Sequence, residues 1–421
     1  MATAEWKSAK LDELGFVGRG KSRHRPRNAT FLYGGPYPFF QTGDIKAANF
    51  HLTEYTQTYS EAGLAQSKLW KPGTLCITIA ANIAENAILG IEGCFPDSVV
   101  GFIADPSKAD VHFIKYCMDT LKLGMQGVSQ GAAQDNLSVE KLLTFDFRVP
   151  PLPVQRRIAG ILSAYDELME NSQRRIRLLE AMARALYREW FVHFGFPGHE
   201  KHPRVASPLG DIPQGWEVKT VPECVDISPR VAVPRDGEKP FVPMGCLSND
   251  SMLITDIESR AGNSGAKFQN GDTLFARITP CLENGKTGFV QFLPDAQAVG
   301  FGSTEFIVLR SRTLNPEFVY LLARSDEFRG VAIKSMSGAT GRQRVQEQCF
   351  DDLQIVQPPR ALLDRFSAIV APSFRLIYKL HLQIQNLRRT RDLLLPRLLS
   401  GQATHPHPAS PSGRGGELES T

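Results

Sequence analysis

Two long stretches that share one helical register constrain this chain more than any other feature of its sequence. From Ile158 to Trp190, apolar residues recur at alternating steps of four and three, the spacing of a heptad seam. A shift of 208 residues, which moves Ile158 onto Phe366, gives a second seam of the same phase. The seam positions are Ile158, Leu162, Tyr165, Met169, Ile176, Leu179, Leu186 and Trp190 in the first stretch and Phe366, Val370, Ile377, Leu380, Ile384, Leu387, Leu394 and Leu398 in the second.

The shared register, a similar length and a Pro-Pro pair before each stretch favour two helices that pair with each other as an antiparallel coiled coil. At 1.5 Å per residue, the first helix would form a rod of roughly 50 Å. Pro372 lies inside the second stretch, so we expect a break or kink there and a continuous helix from about Ser373. The alternative is two unrelated amphipathic helices, each packed on its own domain.

The parts of the chain that precede the two helices also resemble each other. EWKSAKLDELGFV (5–17) resembles GWEVKTVPECVDI (215–227), with Trp6 aligned on Trp216. The further matches, in the same order, are YPFFQTGDI (37–45) with KPFVPMGCL (239–247), KPGTLCITIA (71–80) with QNGDTLFARI (269–278), and SQGAAQDNL (129–137) with MSGATGRQRV (336–345). Four matches in one order predict two globular domains of the same fold.

Together these patterns predict an α+β protein with a pseudo-twofold internal repeat, in which two α/β domains are separated by two long antiparallel coiled-coil helices. A chain of 421 residues is long enough for two such domains, each with its own core. Antiparallel pairing would place the domains at opposite ends of a dumbbell. The predicted boundaries are 1–150 for the first domain, 151–196 for the first long helix, 197–357 for the second domain, 358–400 for the second long helix and 401–421 for a disordered tail.

This order of elements resembles the DNA-specificity subunits of type I restriction–modification enzymes. The resemblance covers about residues 5–400 and is most specific in PPLPVQRRIAGILSAYDELMENSQRRIRLLEAMARALYREWF, the sequence of the first long helix. It implies that each domain is a target recognition domain for one half of a bipartite DNA sequence. It also implies that the long helices fix the gap between the two half-sites.

The same resemblance implies a chain without catalytic activity and without a cofactor of its own. The implied partners are double-stranded DNA, two adenine methyltransferase subunits and ATP-driven motor–nuclease subunits. S-adenosylmethionine and ATP with Mg²⁺ are therefore expected on those partner subunits.

The distribution of charge also predicts DNA binding. The net charge of +4 is small, so a site for a polyanion must come from local clusters. Lys and Arg bind phosphates, and Arg can also bind a guanine edge through two hydrogen bonds, whereas the alternative for any single Arg is a solvated surface charge. The candidate DNA-binding residues are Arg19, Lys21, Arg23, Arg25 and Arg27 in the first domain and Arg230, Arg235, Lys239, Arg277, Arg342 and Arg344 in the second.

Two other classes of function remain open. The stretch GFVGRGKS (15–22) fits the phosphate-binding pattern GxxxxGK[ST], which would place Lys21 in the ATP site of an enzyme. Its flanks argue against this, because EWKSAKLDEL is too polar for a buried strand and Pro26 falls inside the helix that should follow. The second alternative is a protein scaffold organised by the coiled coil, without sequence-specific DNA binding.

Catalytic and metal-binding patterns are weak. NPEF (315–318) approaches the Asn-Pro-Pro-aromatic motif of adenine methyltransferases, but Glu317 replaces the second proline, and a helix that starts at Pro316 with Asn315 as its cap explains the stretch better. The seven Cys show no C-x-x-C spacing and predict reduced thiols, and no metal ligand set is predicted. Since the N-terminus resembles no export signal and no apolar stretch is long enough to span a membrane, we predict a cytoplasmic protein.

Overall fold

The computed structural model describes residues 5–80, 83–128, 137–339 and 341–401. The chain divides into two compact units, Met1–Asn171 with Ile384–Thr421, and Ser172–Gln383. Each unit therefore holds one globular domain together with segments of both long helices. The loop predicted at 129–137 falls almost entirely outside the described residues, as does the predicted tail from residue 402 onward.

The first domain and the helix that follows it contain eleven strands and six helices in the described residues. In chain order these are β1 (Lys7–Ala9), α1 (Leu11–Leu14), β2 (Gly15–Arg19), β3 (Tyr33–Phe39), α2 (Thr42–Ala47), β4 (His51–Leu52), β5 (Gln57–Tyr59), α3 (Glu61–Ala65), β6 (Leu69–Trp70), β7 (Leu75–Thr78), β8 (Asn86–Leu89), β9 (Gly93–Cys94), β10 (Val99–Ala104), α4 (Val111–Val128), α5 (Val139–Leu142), β11 (Phe147–Val149) and α6 (Leu152–Tyr187). A short 3₁₀ turn at Thr30–Leu32 precedes β3, and a π-helical turn at Arg188–Val192 extends α6.

The second domain and its helix contain twelve strands and four helices in the described residues. They are β12 (Arg204–Val205), β13 (Ile212–Pro213), β14 (Glu217–Thr220), α7 (Val221–Cys224), β15 (Val225–Ile227), β16 (Lys239–Val242), β17 (Glu258–Arg260), β18 (Ala266–Phe268), β19 (Thr273–Ala276), β20 (Thr287–Phe289), β21 (Gly300–Gly302), β22 (Phe306–Ser311), α8 (Pro316–Ala323), α9 (Asp326–Lys334), β23 (Gln354–Gln357) and α10 (Arg360–Leu399).

The sheets of the two domains share one topology, except that β4 at the edge of the five-stranded sheet has no counterpart among the described strands of the second domain. In the first domain the strand orders are β2-β10-β7-β8-β4, β5-β3-β9-β6 and β1-β11; in the second they are β15-β22-β19-β20, β17-β16-β21-β18 and β14-β23. The central pair of the second sheet is parallel in both domains, β3 with β9 and β16 with β21. The registers also agree, since Cys76 lies opposite Gly101 and its equivalent Leu274 lies opposite Val308. The predicted internal repeat is thus confirmed for all strands of these sheets except β4.

The segments of the two long helices pack against each other inside each unit. In the first unit, Leu395 and Leu398 of α10 lie in one apolar core with Ile158 and Leu162 of α6. In the second unit, the ring of Phe366 in α10 lies 5.9 Å from that of Trp190, centroid to centroid. These pairings match the antiparallel order of the two seams.

Not every predicted seam position is buried. Five positions are only partly buried: Tyr165, Leu179, Leu186, Leu387 and Leu394. For four of these positions the following residue is buried instead. These following residues are Asp166, Glu180, Tyr187 and Leu395. A straight helix has 3.6 residues per turn and drifts relative to a 3.5-residue seam, so the buried stripe shifts by one residue at intervals.

The predicted break at Pro372 is wrong. Helix α10 is continuous from Arg360 to Leu399 and runs through Pro372 and Pro396. Proline removes one helical hydrogen bond and costs roughly 3 kcal/mol, but burial of an apolar face can outweigh that cost. The buried side chains of Val370 and Phe374 on either side of Pro372 supply such a face.

Candidate nucleic-acid interface

The predicted basic segment of the first domain starts in a strand and continues as an exposed loop. Arg19 is the last residue of β2, and residues 20–29 form no helix. The backbone N–H of Gly20 donates to the carbonyl of Val99 at 2.9 Å, and that of Lys21 donates to Phe95 at 3.1 Å. An ATP-binding loop needs these amides free and a helix starting at the lysine. Since both requirements fail, GFVGRGKS is not a phosphate-binding loop.

The five cations of this segment are all exposed, but they differ in their contacts. Arg27 forms an ion pair of 2.9 Å with Asp97, and the Arg19 side chain donates to the carbonyl of the same residue. Arg25 folds back onto the carbonyl oxygens of Ser22 and His24. Lys21 and Arg23 have no side-chain partner among the described residues. These two are therefore the cations best placed to take a phosphate.

Lys68 belongs to the same basic surface, although the sequence analysis did not single it out. Its ammonium group lies 3.6 Å from the ring centroid of Trp70 and 4.8 Å from that of Phe16. Partial burial and the charge of nearby Lys21 lower the pKa of Lys68. Lys21 and Lys68 are far apart in the sequence and come close only through tertiary packing. No local sequence signal could therefore have revealed this contact.

In the second domain, two of the predicted arginines line one cleft. Arg230, three residues beyond β15, and Arg277, one residue beyond β19, border a cavity of about 480 Å³ together with Lys267. The guanidinium of Arg277 donates to the carbonyl of Val345 at 2.7 Å and lies 3.5 Å from the carboxylate of Glu347. The cleft thus combines three cations with one carboxylate, a composition suited to an anion or a polar base edge.

Arg342 and Arg344 lie on a hairpin-like turn beside this cleft. The backbones of Ser337 and Arg344 exchange two hydrogen bonds of 3.1 and 2.9 Å, and the chain between them turns through Gly338 and Gly341, both with positive φ. Arg344 forms a bidentate ion pair with Glu305, with N–O distances of 2.7 to 3.0 Å. This hydrogen bonding lowers the pKa of Glu305. Arg342, at the tip, has no side-chain partner in the part of the chain that the structure describes.

The remaining two predicted residues lie away from the cleft. Arg235 is exposed in the loop before β16, and the Lys239 ammonium donates to the carbonyls of Asp236 and Gly237. The structure therefore brings together Arg230 and Arg277, places Arg342 and Arg344 on the adjoining turn, and leaves Arg235 and Lys239 separate. Lys267, Glu305 and Glu347 are the charged groups here that the sequence analysis missed.

Two carboxylates of α6 hold a loop of each domain. In the first unit, Glu170 accepts hydrogen bonds from the backbone N–H groups of Phe50 and His51 at 3.1 and 2.8 Å, and from the His51 ring at 2.9 Å. In the second unit, Glu180 accepts from the N–H of Met252 at 2.8 Å and from the Ser251 hydroxyl at 2.7 Å. Each domain is thereby fixed on the helix through main-chain donors.

Burial raises and hydrogen bonds lower the pKa of both carboxylates, but the net shift has opposite signs. Burial acts to raise the pKa of Glu170, but hydrogen bonds and the charge of His51 outweigh it, so the pKa is lowered. The hydrogen bond with Glu170 raises the pKa of His51. Glu180 has no comparable cation in contact, and burial raises its pKa.

Other chemistry has little support in the described residues. Pro316 occupies the first turn of α8 as predicted, but the Asn315 side chain makes no capping hydrogen bond, and α8 ends at Ala323 before α9 begins. Within residues 5–80, 83–128, 137–339 and 341–401, no group of His, Cys, Asp and Glu could hold a metal ion. In the same ranges, no helix combines the length and apolar character needed to cross a membrane.

The sequence and the fold of this chain are similar to those of DNA-specificity subunits of type I restriction enzymes. Residues 3–181 match the family described as type I restriction modification DNA specificity domain. The chain is 23% identical to the type I restriction enzyme MjaIX specificity subunit of Methanocaldococcus jannaschii, over 94% of this chain and 93% of that one. It is 33% identical to the EcoEI specificity subunit of Escherichia coli, over 35% of this chain and 26% of that protein. The crystal structure of the S subunit from M. genitalium superimposes with a TM-score of 0.59 at 13% identity, covering 94% of this chain and 97% of that one, which shows a shared fold.

Proposed function

We propose that the chain is a DNA-specificity subunit of the type I restriction–modification family, which recognises a bipartite DNA sequence and performs no catalysis itself. The observation that carries the proposal is the duplication of one sheet topology, with exposed cations at one place in each copy. Arg19 ends β2, and Arg230 follows the equivalent strand β15 by three residues. A single catalytic site has no need for such a duplicate, whereas two half-sites of DNA do.

Within this proposal, phosphate contacts come from Lys21, Arg23 and the neighbouring cations in the first domain and from Arg235 and Lys239 in the second. Base contacts in the second domain come from Arg230, Arg277 and the turn that carries Arg342 and Arg344. Phosphate contacts supply affinity that depends on salt, and base contacts supply specificity. The experiment is methylation-sensitive sequencing of DNA from cells that express the complete enzyme. A split motif of two short half-sites supports the proposal, and a continuous motif contradicts it.

We further propose that two methyltransferase subunits bind, one on each long helix. Besides the buried seam, α6 has exposed Ile161 and Leu168 seven residues apart, and α10 has exposed Ile369 followed seven residues later by partly buried Leu376. The shift that relates the seams also relates these pairs, so each unit offers the same outward apolar stripe. An apolar helix of a methyltransferase subunit is the partner that fits a stripe of this spacing.

This stoichiometry is tested by native mass spectrometry of the assembled methyltransferase. Ile161→Glu and Ile369→Glu should each remove one methyltransferase subunit, and the double variant should remove both. Leu209→Glu, at an exposed apolar position in the second domain, serves as the control. Loss of both subunits from either single variant would contradict the one-per-helix arrangement.

The cofactors and location follow from the same proposal. S-adenosylmethionine belongs to the methyltransferase subunits and ATP with Mg²⁺ to the motor–nuclease subunits, while this chain contributes DNA recognition. A protein that acts on chromosomal DNA works in the cytoplasm of a bacterial or archaeal cell. The scaffold alternative predicts DNA binding by the complex that does not depend on salt or on sequence.

The long helices set the distance between half-sites in this proposal. Inserting one heptad at matching heights in α6 and α10 preserves the seam. Seven residues add about 10.5 Å, or about three base pairs at 3.4 Å each. We expect unchanged half-sites with a gap about three base pairs longer. An active variant with the original gap would contradict the role of the helices as a spacer.

A further inference from the structure

Phe31 is an exposed aromatic side chain inside the basic surface of the first domain. It occupies the middle of the 3₁₀ turn at Thr30–Leu32, and its side chain is 57% exposed. Its ring lies edge-on to the ring of His24, with the centroids 5.0 Å apart. Arg23 and Arg25 flank His24 in sequence, so the aromatic pair lies among the cations assigned to phosphate binding.

The turn that carries Phe31 is held in place. Its next residue, Leu32, is buried in a core with Phe39 and Tyr59. The Ser60 hydroxyl donates to the Phe31 carbonyl at 2.6 Å, and the Ser60 N–H donates to the Leu32 carbonyl at 2.9 Å. An exposed phenyl ring on an anchored backbone loses little conformational freedom when it binds a ligand.

The other exposed aromatic residues have different surroundings. The ammonium of Lys68 lies 4.8 Å from the ring centroid of Phe16, and Tyr55 packs edge-on against Phe40 at 5.9 Å between centroids. No Phe, Tyr or Trp of comparable exposure occurs among the described residues of the second unit. Phe31 combines exposure, an anchored backbone and flanking cations, and unlike Phe16 it has no ammonium group of a described residue over its ring.

We propose that Phe31 inserts between two base pairs of the first half-site, with its ring against the bases and the flanking cations on the phosphates. This inference rests on the proposed DNA-binding function. Apolar side chains flanked by Lys and Arg insert at base steps in other DNA-binding proteins and partly unstack them. Every base offers a π face for such contact. The cations bring the duplex backbone to the turn, and the ring then meets the base stack.

The test uses the assembled methyltransferase and duplexes of its cognate sequence, with 2-aminopurine placed at each position of either half-site in turn. Wild-type protein should raise the fluorescence at one step of the first half-site away from the target adenine, because unstacking relieves quenching and the methyltransferase itself flips the target adenine. Phe31→Ala should abolish this signal and weaken binding about tenfold without changing the salt slope. Phe31→Trp should retain both the fluorescence signal and the affinity. Tyr55→Ala is the matched control, at an exposed aromatic residue outside the basic segment.

Other outcomes overturn the inference. If Phe31→Ala weakens binding while no position of the first half-site other than the target adenine responds to wild-type protein, the ring contacts DNA without insertion. If Phe31→Ala instead prevents assembly with the methyltransferase subunits, the ring binds protein. If the chain does not recognise a DNA sequence at all, the wild-type complex would bind cognate and scrambled duplexes equally. This result differs from both outcomes above.

Discussion

The two globular domains share strand order and register in every strand of the paired sheets except β4, yet they carry different charges at equivalent positions. Ile79 comes directly after β7 in the first domain, and Arg277 comes directly after β19 in the second. The Ile79 N–H donates to the carbonyl of Ser98 at 2.9 Å, and the Arg277 N–H donates to the carbonyl of Glu305 at 3.0 Å. The same backbone contact thus joins two neutral residues in the first domain and two charged residues in the second.

Each domain holds both paired and unpaired cations, but at different positions. In the first domain Lys21 and Arg23 have no side-chain partner in the described residues and Arg27 is paired with Asp97, whereas in the second Arg342 has none and Arg344 is bound to Glu305. Topology depends on the buried apolar pattern, which both copies retain. Exposed charges contribute little to stability, so the surface can change while the sheets stay the same.

The contacts between the long helices and the globular domain also differ in chemistry between the two units. In the first unit, buried Asp166 of α6 accepts a hydrogen bond of 2.5 Å from Tyr116 and forms an ion pair with Arg391 of α10. The shift of 208 residues moves Asp166 onto Phe374, whose ring lies 5.6 Å from Tyr320 in the second unit. A charged contact in one unit thus corresponds to an aromatic contact in the other.

The largest expected effect comes from exchanging one domain. Replacing residues 1–150 with the corresponding domain of a relative should change the first half-site entirely and leave the second half-site and the gap unaltered. The physical reason is that each domain has its own core and its own set of cations. Methylation-sensitive sequencing provides the measurement, and a simultaneous change in both half-sites would show that the domains do not act independently.

The next largest effect comes from breaking the ion pair between Asp166 and Arg391. Arg391→Met leaves Asp166 buried without its cation and should lower the free energy of unfolding by about 3 kcal/mol. The double variant Asp166→Leu, Arg391→Met should recover most of this loss. Urea unfolding measures both. If the single and double variants lose the same stability, the ion pair is not what Arg391 contributes.

Glu305→Gln tests whether the paired arginines of the second domain need their carboxylate. Loss of the bidentate pair should free the turn at 337–344 and reduce discrimination at the second half-site by about tenfold. Discrimination at the first half-site should not change, which provides an internal control. Exchanging the charges in Glu305→Arg, Arg344→Glu should restore the turn. Equal losses at both half-sites would instead indicate general unfolding.

Lys21→Ala tests the unpaired cations of the first domain. We expect binding about threefold weaker near 0.15 M salt and a salt slope smaller by about one contact. Arg342→Ala is the matched change at an unpaired cation of the second domain. ATP hydrolysis by the full complex should persist at saturating DNA. Loss of ATP binding by the isolated chain would return Lys21 to the role of a nucleotide ligand.

The smallest effect is a pH dependence confined to the first unit. Hydrogen bonding to Glu170 raises the pKa of His51, so this contribution to stability is complete below the unfolded pKa of about 6.5 and is lost as pH rises through the folded value. We expect a loss of less than about 1 kcal/mol between pH 6 and 8, because the pair is partly solvated. His51→Gln should remove it. Persistence of the slope in this variant would assign it to another group.

The sequence predicts the duplicated fold well because heptad spacing and repeated strand motifs are local patterns. The register of the seams places Ile158 and Trp190 correctly in buried positions of α6. The sequence does not predict Asp166 and Glu180 as buried residues, because a carboxylate on a helix normally indicates a solvated face. Only the partners that satisfy them, Arg391 and the loop at Met252, explain their burial.

The candidate interface is less predictable than the fold. The basic run from Arg19 to Arg27 is visible in the sequence, but the pairing of Arg344 with Glu305 joins residues far apart in the chain. Lys68 reaches the surface of Lys21 by the same kind of tertiary contact. Pro372 shows the converse, since a strong local signal for a helix break is overridden by the packing of its neighbours.

The carboxylates of α6 bear on how such a chain can evolve. Glu170 and Glu180 hold the domains largely through backbone N–H groups, at Phe50, His51 and Met252. Every residue except proline offers that donor. A domain acquired by genetic recombination can therefore attach to the existing helix without matching side chains, provided that its loop follows the same path. New DNA specificities can arise by exchange of whole domains while the helix that receives them stays unchanged.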